Sequence, residues 1–357
     1  MFGISTNAKR NQPKARYPWV DYAKGIAIIL VVYRHMLGGY ENAGVEIAEY
    51  FTLAQQSVYN FRMPLFFMLS GMFVRKSLVK RTTQQFVTYK LNTIMYPYVI
   101  WATIQLSIQV LFSHYTNHPR QLSDFLNILY APRELDQFWF LYTIFNITVI
   151  YALLYIYAHL KTIGQLALSA VFYFISTMPF VQDIGLLQDT LQYYLYFALG
   201  SYSAEVILND RYRSIFSSPW LLAGLFPVFL VSQWYWIQHQ DLRTSQPLLF
   251  AVIAIVGSAF ILNVAFILGK SQIAGFLRVI GRHSLYIYIM HVIFIGFTRT
   301  LLLNLLGITN IAVLLPISMV VGTVFPVVFY QVSTRKGLWF LFSPTKPHSP
   351  SRLTPSA

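Results

Sequence analysis

The sequence predicts an all-α fold, a polytopic membrane bundle of about ten transmembrane helices, and three observations favour it. The 357-residue chain is 56% hydrophobic and only 11% charged, whereas soluble domains carry roughly 25% charged residues. Its mean hydropathy is +0.52. Apolar segments of about 20 residues, the length that crosses a bilayer, recur along the chain. The lack of cysteine excludes disulfides, thiolate metal sites and cysteine nucleophiles.

The predicted spans follow one another with short polar connections. They cover residues 18–38, 57–74, 91–112, 138–158, 162–180, 190–208, 219–238, 247–268, 284–304 and 311–331. The second is short, and the fifth is only moderately apolar. The chain therefore divides into a basic N-terminal segment (1–17), a ten-helix transmembrane domain (18–332) and a Pro/Ser-rich tail (333–357) that we expect to be disordered.

The cations indicate the orientation of the bundle. Most of the 26 lysines and arginines fall on one side of the predicted spans, while Arg120, Arg133 and Arg243 are those of the opposite loops. The positive-inside rule then predicts that both termini are cytoplasmic. The net charge of +14 is therefore explained by topology. No nucleic-acid-binding motif accompanies these charges, so the sequence does not predict a nucleic-acid partner.

The first span contains three ionisable residues on one stripe. Lys24 and His35 are eleven residues apart, which is about 20° past three full helical turns and about 16 Å along the axis. Asp21 lies three residues before Lys24, within pairing distance on the same side. Such groups usually face a bundle interior or an aqueous cavity. The alternative is that Lys24 snorkels to the inner headgroups and His35 lies at the outer interface.

Five segments carry a family resemblance. In order they are "YPWVDYAKGIAIILVVYRHM" (17–36), "FRMPLFFMLSGMFVRKS" (61–77), "KLNTIMYPYVIW" (90–101), "FWFLYTIF" (138–145) and "IGRHSLYIYIMH" (280–291). Together they resemble the acyltransferase-3 family of integral membrane acyltransferases, in particular its fucose 4-O-acetylase-like branch of sugar O-acetyltransferases. The family's first-span signature is a basic residue, ten residues and a histidine. Two features depart from it: Lys24 replaces the usual arginine, and Arg34 replaces a small residue.

The resemblance implies an integral membrane O-acyltransferase of the bacterial cytoplasmic membrane. It would transfer an acyl group, most simply acetyl, from acyl-CoA to a hydroxyl of a carbohydrate or glycolipid acceptor. Acyl-CoA is then a co-substrate, no cofactor is permanently bound, and membrane lipids surround the protein. The alternative is a permease or flippase without enzymatic activity. The sequence predicts no metal site, because no compact ligand spacing occurs, and it does not predict the oligomeric state.

For catalysis the resemblance points to His35. Lys24 either lines the channel along which the donor reaches His35, or orients His35 through a network with Asp21. A hydroxyl is a poor nucleophile at neutral pH, and a base that accepts its proton accelerates attack on a thioester. Imidazole suits this task, since its unperturbed pKa is about 6.5. We therefore expect His35 to act as a general base. A covalent acyl-histidine remains the alternative.

The donor's phosphates need cations on the cytoplasmic face. The predicted cofactor-binding set lies between the second and third spans and consists of Arg75, Lys76, Lys80, Arg81 and Lys90. Positive-inside topology alone would also produce this cluster.

Five further residues are predicted to bind substrate, each with a structural alternative. They are Arg62, Trp139, Tyr142, Ser284 and His291. The arginine could bind the acceptor, stabilise an oxyanion or contact lipid phosphate. The two aromatic residues could stack on a sugar or belong to an interfacial belt. The serine and histidine, seven residues apart on one helical face, could support the active centre or join helices.

Overall fold

A computed structural model describes residues 17–113 and 119–346, and within these ranges the chain is helical and contains no β-strand. The rest of the predicted N-terminal segment (1–16) and the end of the tail (347–357) lie outside the described residues. We number the longer helices in chain order. They are α1 Pro18–Glu41, α2 Glu49–Gln56, α3 Tyr59–Leu78, α4 Thr83–Leu111, α5 Trp139–Ile156, α6 Thr162–Ile175, α7 Gly185–Ile207, α8 Pro219–Gln238, α9 Pro247–Ser271, α10 Gly275–Arg282, α11 Ser284–Leu305 and α12 Ile311–Arg335.

Every predicted span coincides with a helix, which confirms the all-helical prediction for the described residues. Six helices are long and apolar enough to cross a membrane: α4, α5, α8, α9, α11 and α12. Helices α1, α3 and α7 are long enough but less apolar, and α6 is apolar but has 14 residues. The count of ten spans and the cytoplasmic placement of the termini therefore remain predictions.

Helix α1 occupies the centre of the bundle. It packs against α3, α9, α10, α11 and α12, so protein rather than lipid surrounds most of its faces. This position explains why α1 can be less apolar than a typical span: ionisable residues that face a bundle interior need not contact hydrocarbon. Peripheral α8, by contrast, buries few of its side chains.

Glycine pairs bring the central helices into backbone contact. A Cβ added to Gly25 of α1 would lie 2.1 Å from the Leu277 carbonyl oxygen, and one added to Gly281 would lie 1.7 Å from the Asp21 carbonyl oxygen. Small residues at such positions allow membrane helices to approach closely. The contact between α1 and α10 therefore requires glycine on both sides.

Hydrogen bonds anchor both ends of α1. The Tyr22 hydroxyl donates to the carbonyl oxygen of Ile273 at 2.8 Å. Near the other end, the hydroxyls of Tyr40 and Ser318 of α12 lie 2.6 Å apart. Because α1 is fixed at both ends, a side chain between them is held in a defined position.

The structure differs from the prediction that a disordered tail begins at residue 333. Helix α12 continues to Arg335, and Phe342 is buried. The Trp101 indole N–H of α4 donates to the Leu341 carbonyl oxygen at 2.9 Å. Leu341 and Phe342 thus pack onto the bundle, and the Pro/Ser content of the following residues obscures this in the sequence.

Candidate active site

His35 lies near the C-terminal end of α1, which is its outer end in the predicted topology, and lines two cavities. The first, which we call the amide-lined cavity, is about 280 Å³ and includes amide and carboxyl groups in its wall. Its wall is formed by Arg34, His35, Gly38, Gly39, Asn42, Gln105, Ile108, Gln109, Phe112, Asp136, Val292, Ile293, Ile295, Gly296, Phe297, Arg299 and Thr300. The second, which we call the arginine cavity, is about 170 Å³. Its wall is formed by Arg34, His35, Tyr59, Asn60, Arg62, Met63, Pro64, Arg133, Trp139, Gln192, Tyr193, Tyr196, Arg243 and Phe250. His35 therefore faces protein cavities and not only lipid.

A third cavity, of about 400 Å³, adjoins the arginine cavity and shares Arg34, Tyr59 and Arg243 with it. Its other lining residues come from the end of α1, from the 47–56 segment and from the end of α8. We call it the outer vestibule. It connects the surroundings of His35 to the side of the bundle at which α1 ends.

A second histidine contacts the first. The rings of His35 and His291 lie 5.1 Å apart, centroid to centroid, in an edge-to-face arrangement. The Nδ1 atom of His291 is 3.0 Å from the Ile287 carbonyl oxygen and 2.8 Å from that of Tyr288. Both are acceptors, so Nδ1 carries a proton, and in the neutral ring Nε2 is then an acceptor.

A neutral His291 ring is therefore fixed as the tautomer that carries its proton on Nδ1. The residue is completely buried, and its Nε2 has no hydrogen-bond partner among the described residues. Because its ring is held by backbone carbonyls of α11, it gives the His35 imidazole a rigid neighbour with an available acceptor. The sequence placed these two histidines 256 positions apart, and no local pattern predicts their contact.

Arg62 lies beside His35, close enough for its charge to act on the imidazole. Its side chain is only 7% exposed, and its guanidinium stands 5.0 Å above the Tyr59 ring. Nη1 of Arg62 is buried without a hydrogen-bond partner among the described residues. Burying a cation without a counter-ion is energetically costly. This cost indicates that Arg62 pairs with a further group when the protein is active.

Arg34 lines all three cavities. In the sequence, Arg34 differs from other cations only in that it replaces a small residue of the family pattern. The sequence predicts Arg133 and Arg243 only as loop cations. In the structure, both line the arginine cavity. Sequence analysis missed these three because their roles depend on how separate segments meet.

Arg133 has a carboxylate partner. It donates from Nε to Oδ2 of Asp189 at 2.6 Å, and its Nη2 donates to Oδ1 of the same carboxylate. Burial alone lowers the pKa of Arg133, but the hydrogen bond to Asp189 and the charge of that carboxylate outweigh it, so the pKa is raised. Arg133 also stands 4.7 Å above the Trp139 ring.

Of the two aromatic residues proposed to meet substrate, only Trp139 lines a cavity with His35. Its ring lies 5.4 Å from that of Tyr193, a second aromatic wall that the sequence did not single out. Tyr142 instead donates its hydroxyl to the Leu129 carbonyl oxygen at 3.1 Å and packs against Tyr98. Tyr142 thus contacts the loop before α5 and lines neither cavity at His35.

Asp21 and Lys24 lie at the other end of α1. The Asp21 carboxylate accepts a hydrogen bond from Nε of Arg282 at 3.3 Å and is buried. Fourteen residues separate it from His35, about 21 Å along the axis. Neither residue lines any of the three cavities. Ser284 likewise lies at the beginning of α11, about 10 Å along the axis from His291, and lines none of them.

The predicted donor cations separate into two groups. Arg75 pairs with Glu205 at 2.6 Å, and Lys76 donates to the Tyr17 hydroxyl at 3.1 Å. Lys80 is exposed. A second group gathers at the beginning of α4.

Within that group, the Arg81 guanidinium stands 4.0 Å above the Tyr89 ring, and Lys90 Nζ lies 6.0 Å from the same ring. Lys90 interacts electrostatically with both Arg81 and Lys24. The fold therefore brings Lys24 of α1 to two of the predicted donor cations rather than to His35.

Comparison with known proteins identifies a family and two relatives. A family model described as an acyltransferase domain, that of acyltransferase family 3, matches residues 17–331. The chain is 29% identical over 217 residues to nodulation protein NolL of Sinorhizobium fredii, covering 57% of this chain and 55% of the relative. It is also 29% identical over 128 residues to nodulation protein NolL of Mesorhizobium japonicum, covering 35% and 32%. The chain thus spans about half, or less, of the length of these relatives. No solved structure matches it significantly.

Proposed function

We propose, on the premise that this chain belongs to the acyltransferase-3 family, that it is a membrane O-acyltransferase in which His35 is the general base. The acyl group is acetyl, delivered by acyl-CoA, and the acceptor is a hydroxyl of a carbohydrate or glycolipid. The bacterial cytoplasmic membrane is its proposed location. The resemblance to sugar O-acetyltransferases supports the choice of acetyl and of a carbohydrate.

One observation carries the proposal: two cavities meet at a single imidazole. A transfer between two substrates needs a place for each and one group that touches both. The arginine cavity, with Trp139 and Tyr193 as aromatic walls, suits the acceptor sugar. The amide-lined cavity then takes the acyl end of the donor.

In the proposed reaction His35 accepts the proton of the acceptor hydroxyl while its oxygen attacks the thioester carbonyl. A carbon–oxygen bond forms, and the negative charge that develops on the carbonyl oxygen is near the Arg62 guanidinium. The carbon–sulfur bond then breaks, and the imidazolium returns its proton to the leaving thiolate. The products are an ester and free CoA, and His35 ends in its starting form.

His291 is the proposed positioning residue. The Nε2 atom of His291 can accept a hydrogen bond from an N–H of the His35 ring. This bond would favour the His35 tautomer whose unprotonated nitrogen faces the acceptor hydroxyl. The support for this step is the 5.1 Å ring contact and the fixed tautomer of His291. Direct transfer needs no further group, and we prefer it to an acyl-histidine intermediate.

The donor's phosphates are proposed to bind the cations at the beginning of α4. Arg81 and Lys90 have no carboxylate partner among the described residues, and Lys24 adds a third charge. Helix α4 leads from these cations to Gln105 and Gln109 of the amide-lined cavity, about 22 Å further along its axis. This arrangement revises the sequence-based expectation that the donor follows the Lys24 face of α1.

The test uses purified full-length protein with radiolabelled acetyl-CoA and a panel of bacterial glycans, together with CoA binding measured by calorimetry. We expect saturable CoA binding and transfer of label to at least one glycan in ester linkage. Binding of CoA without any transfer would favour another acyl group or acceptor. Absence of CoA binding would overturn the proposal and favour the permease alternative.

A further inference from the structure

We propose that the arginine cavity binds an anionic group, a carboxylate or phosphate, carried by the sugar acceptor. The inference rests on the proposed function, since it assigns a chemical class to the acceptor of that reaction. It deepens that function by predicting an acidic saccharide rather than a neutral one.

The first argument is the charge of the cavity wall. Four arginines line the cavity, and its lining contains no aspartate or glutamate among the described residues: the four are Arg34, Arg62, Arg133 and Arg243. Only Arg133 has a carboxylate at ion-pair distance, that of Asp189. The other three guanidinium groups therefore line a small space next to His35 without a carboxylate at ion-pair distance in the described part of the chain.

The second argument is the condition of Arg62. It is more than nine-tenths buried, and one of its terminal nitrogens has no hydrogen-bond partner among the described residues. Burying an unpaired cation is strongly unfavourable. Such a group in the wall of a cavity is satisfied when an anion enters.

Arg243 shows a related arrangement. Its Nη2 donates to the amide oxygen of Gln192 at 2.5 Å, a neutral partner that orients the guanidinium without cancelling its charge. Arg243 also lines the outer vestibule, as does Arg34. These two arginines thus extend from the vestibule to the cavity beside His35, along the entry route that we assign to the acceptor.

The chemistry of the ligand follows from these groups. Guanidinium groups bind carboxylates and phosphates through paired, charge-assisted hydrogen bonds. The faces of Trp139 and Tyr193 in the same cavity suit a sugar ring. A hexuronate or a phosphorylated sugar has both features on adjacent atoms, with its free hydroxyls available to His35.

The anion is not the donor's phosphate in this proposal. The donor cations Arg81, Lys90 and Lys24 lie at the end of the bundle where α1 begins, whereas the outer vestibule lies where α1 ends. One helix of 24 residues, about 36 Å long, separates the two cationic regions.

The experiment compares matched acceptors on the purified full-length protein with acetyl-CoA. The acceptors are a glucuronate oligosaccharide, its carboxyl-reduced counterpart and a sugar phosphate. We expect kcat/KM for the acidic acceptors to exceed that for the neutral one by about tenfold or more, because each charge-assisted pair favours the anion. Arg62→Gln should remove most of this preference, and Arg62→Lys should restore part of it.

Arg213→Gln is the matched control. Arg213 is an exposed cation, 3.3 Å from Asp210 and outside all three cavities, so its loss should leave the preference unchanged. If the arginine variants fail to fold, thermal stabilisation of the wild-type protein by glucuronate against glucose provides the same comparison without a substitution.

The outcomes separate this inference from the proposed function. Equal transfer to acidic and neutral acceptors would overturn the anion site and leave the acyltransferase standing. Stabilisation by glucuronate with neither CoA binding nor transfer would support the anion site and overturn the acyltransferase. Inhibition by phosphatidylglycerol in nanodiscs, relieved by Arg62→Gln, would assign the site to lipid phosphate and overturn the assignment to the acceptor. A preference for succinyl-CoA that Arg62→Gln removes would assign the anion to the acyl group instead.

Discussion

The two ends of helix α1 use charge in different ways. At its inner end, buried Asp21 is paired with Arg282, and backbone contact through Gly25 and Gly281 joins α1 to α10. At its outer end, Arg34 and His35 line cavities, and neighbouring Arg62 has no counter-ion among the described residues. Charges that are compensated by the fold stabilise it, while charges left around a cavity are available to a ligand.

The proposed donor cations also include both paired and unpaired charges. Arg75 is neutralised by Glu205, whereas Arg81 rests on the Tyr89 ring and has no carboxylate partner in the described residues. A cluster that looks uniform in the sequence therefore contains residues with different partners. The comparison predicts that substitutions at paired positions change stability, and that substitutions at unpaired positions change activity.

The largest effect is expected at the outer end. His35→Ala removes the proposed base, and we expect kcat to fall by about 10²- to 10⁴-fold, with normal membrane insertion and unchanged CoA binding. Single-turnover transfer of labelled acetyl measures it. His239→Ala, an exposed histidine outside the three cavities, is the control and should retain full activity. A His35→Ala protein with wild-type kcat would remove His35 from the chemistry.

At the inner end the effect should be on stability. In Gly281→Ala the new methyl group meets the Asp21 carbonyl oxygen, and overpacking of this kind costs about 1–3 kcal/mol or more. We expect a lower unfolding midpoint in detergent, and an unchanged kcat per folded molecule. In Gly224→Ala nothing lies within 4 Å of the added atom, so that variant should be neutral or slightly stabilised. Equal midpoints for the two variants would contradict the close α1–α10 contact.

The donor cations give a smaller and more specific test. Arg81→Gln should raise KM for acetyl-CoA by about tenfold, the effect of losing one charge-assisted phosphate contact. Arg75→Gln removes a cation that Glu205 already neutralises, and its KM should stay close to that of the wild type. Initial rates at varied acetyl-CoA measure both. The opposite order of effects would place the phosphates beside α3 and not at the beginning of α4.

The smallest effect is expected at His291. His291→Asn keeps a polar side chain but removes the Nε2 acceptor from the His35 ring. We expect kcat to fall about five- to tenfold, comparable to the loss of one hydrogen bond, while KM for either substrate is unchanged. A purely structural role would instead lower the unfolding midpoint and leave kcat of the folded protein intact.

Local patterns predicted much of the helical architecture. The alternation of apolar segments predicted each helix, since hydrophobic periodicity and length are properties of neighbouring residues. The eleven-residue spacing predicts one stripe for Lys24 and His35, but in the structure only His35 lines a cavity. Lys24 lies with Lys90 and Arg81, because α4 and not α1 presents the adjacent cations.

By itself the sequence determined the helical order, the family and the histidine at the outer end of the first helix, because each of these is written in short-range patterns and motifs. Only the tertiary structure decided that His291 touches His35, and that Arg34, Arg62, Arg133 and Arg243 surround one cavity. Those arginines come from four separate segments. Which helix faces meet depends on the packing of the whole bundle, and on backbone contacts such as that between Gly25 and Gly281, so no single segment encodes it.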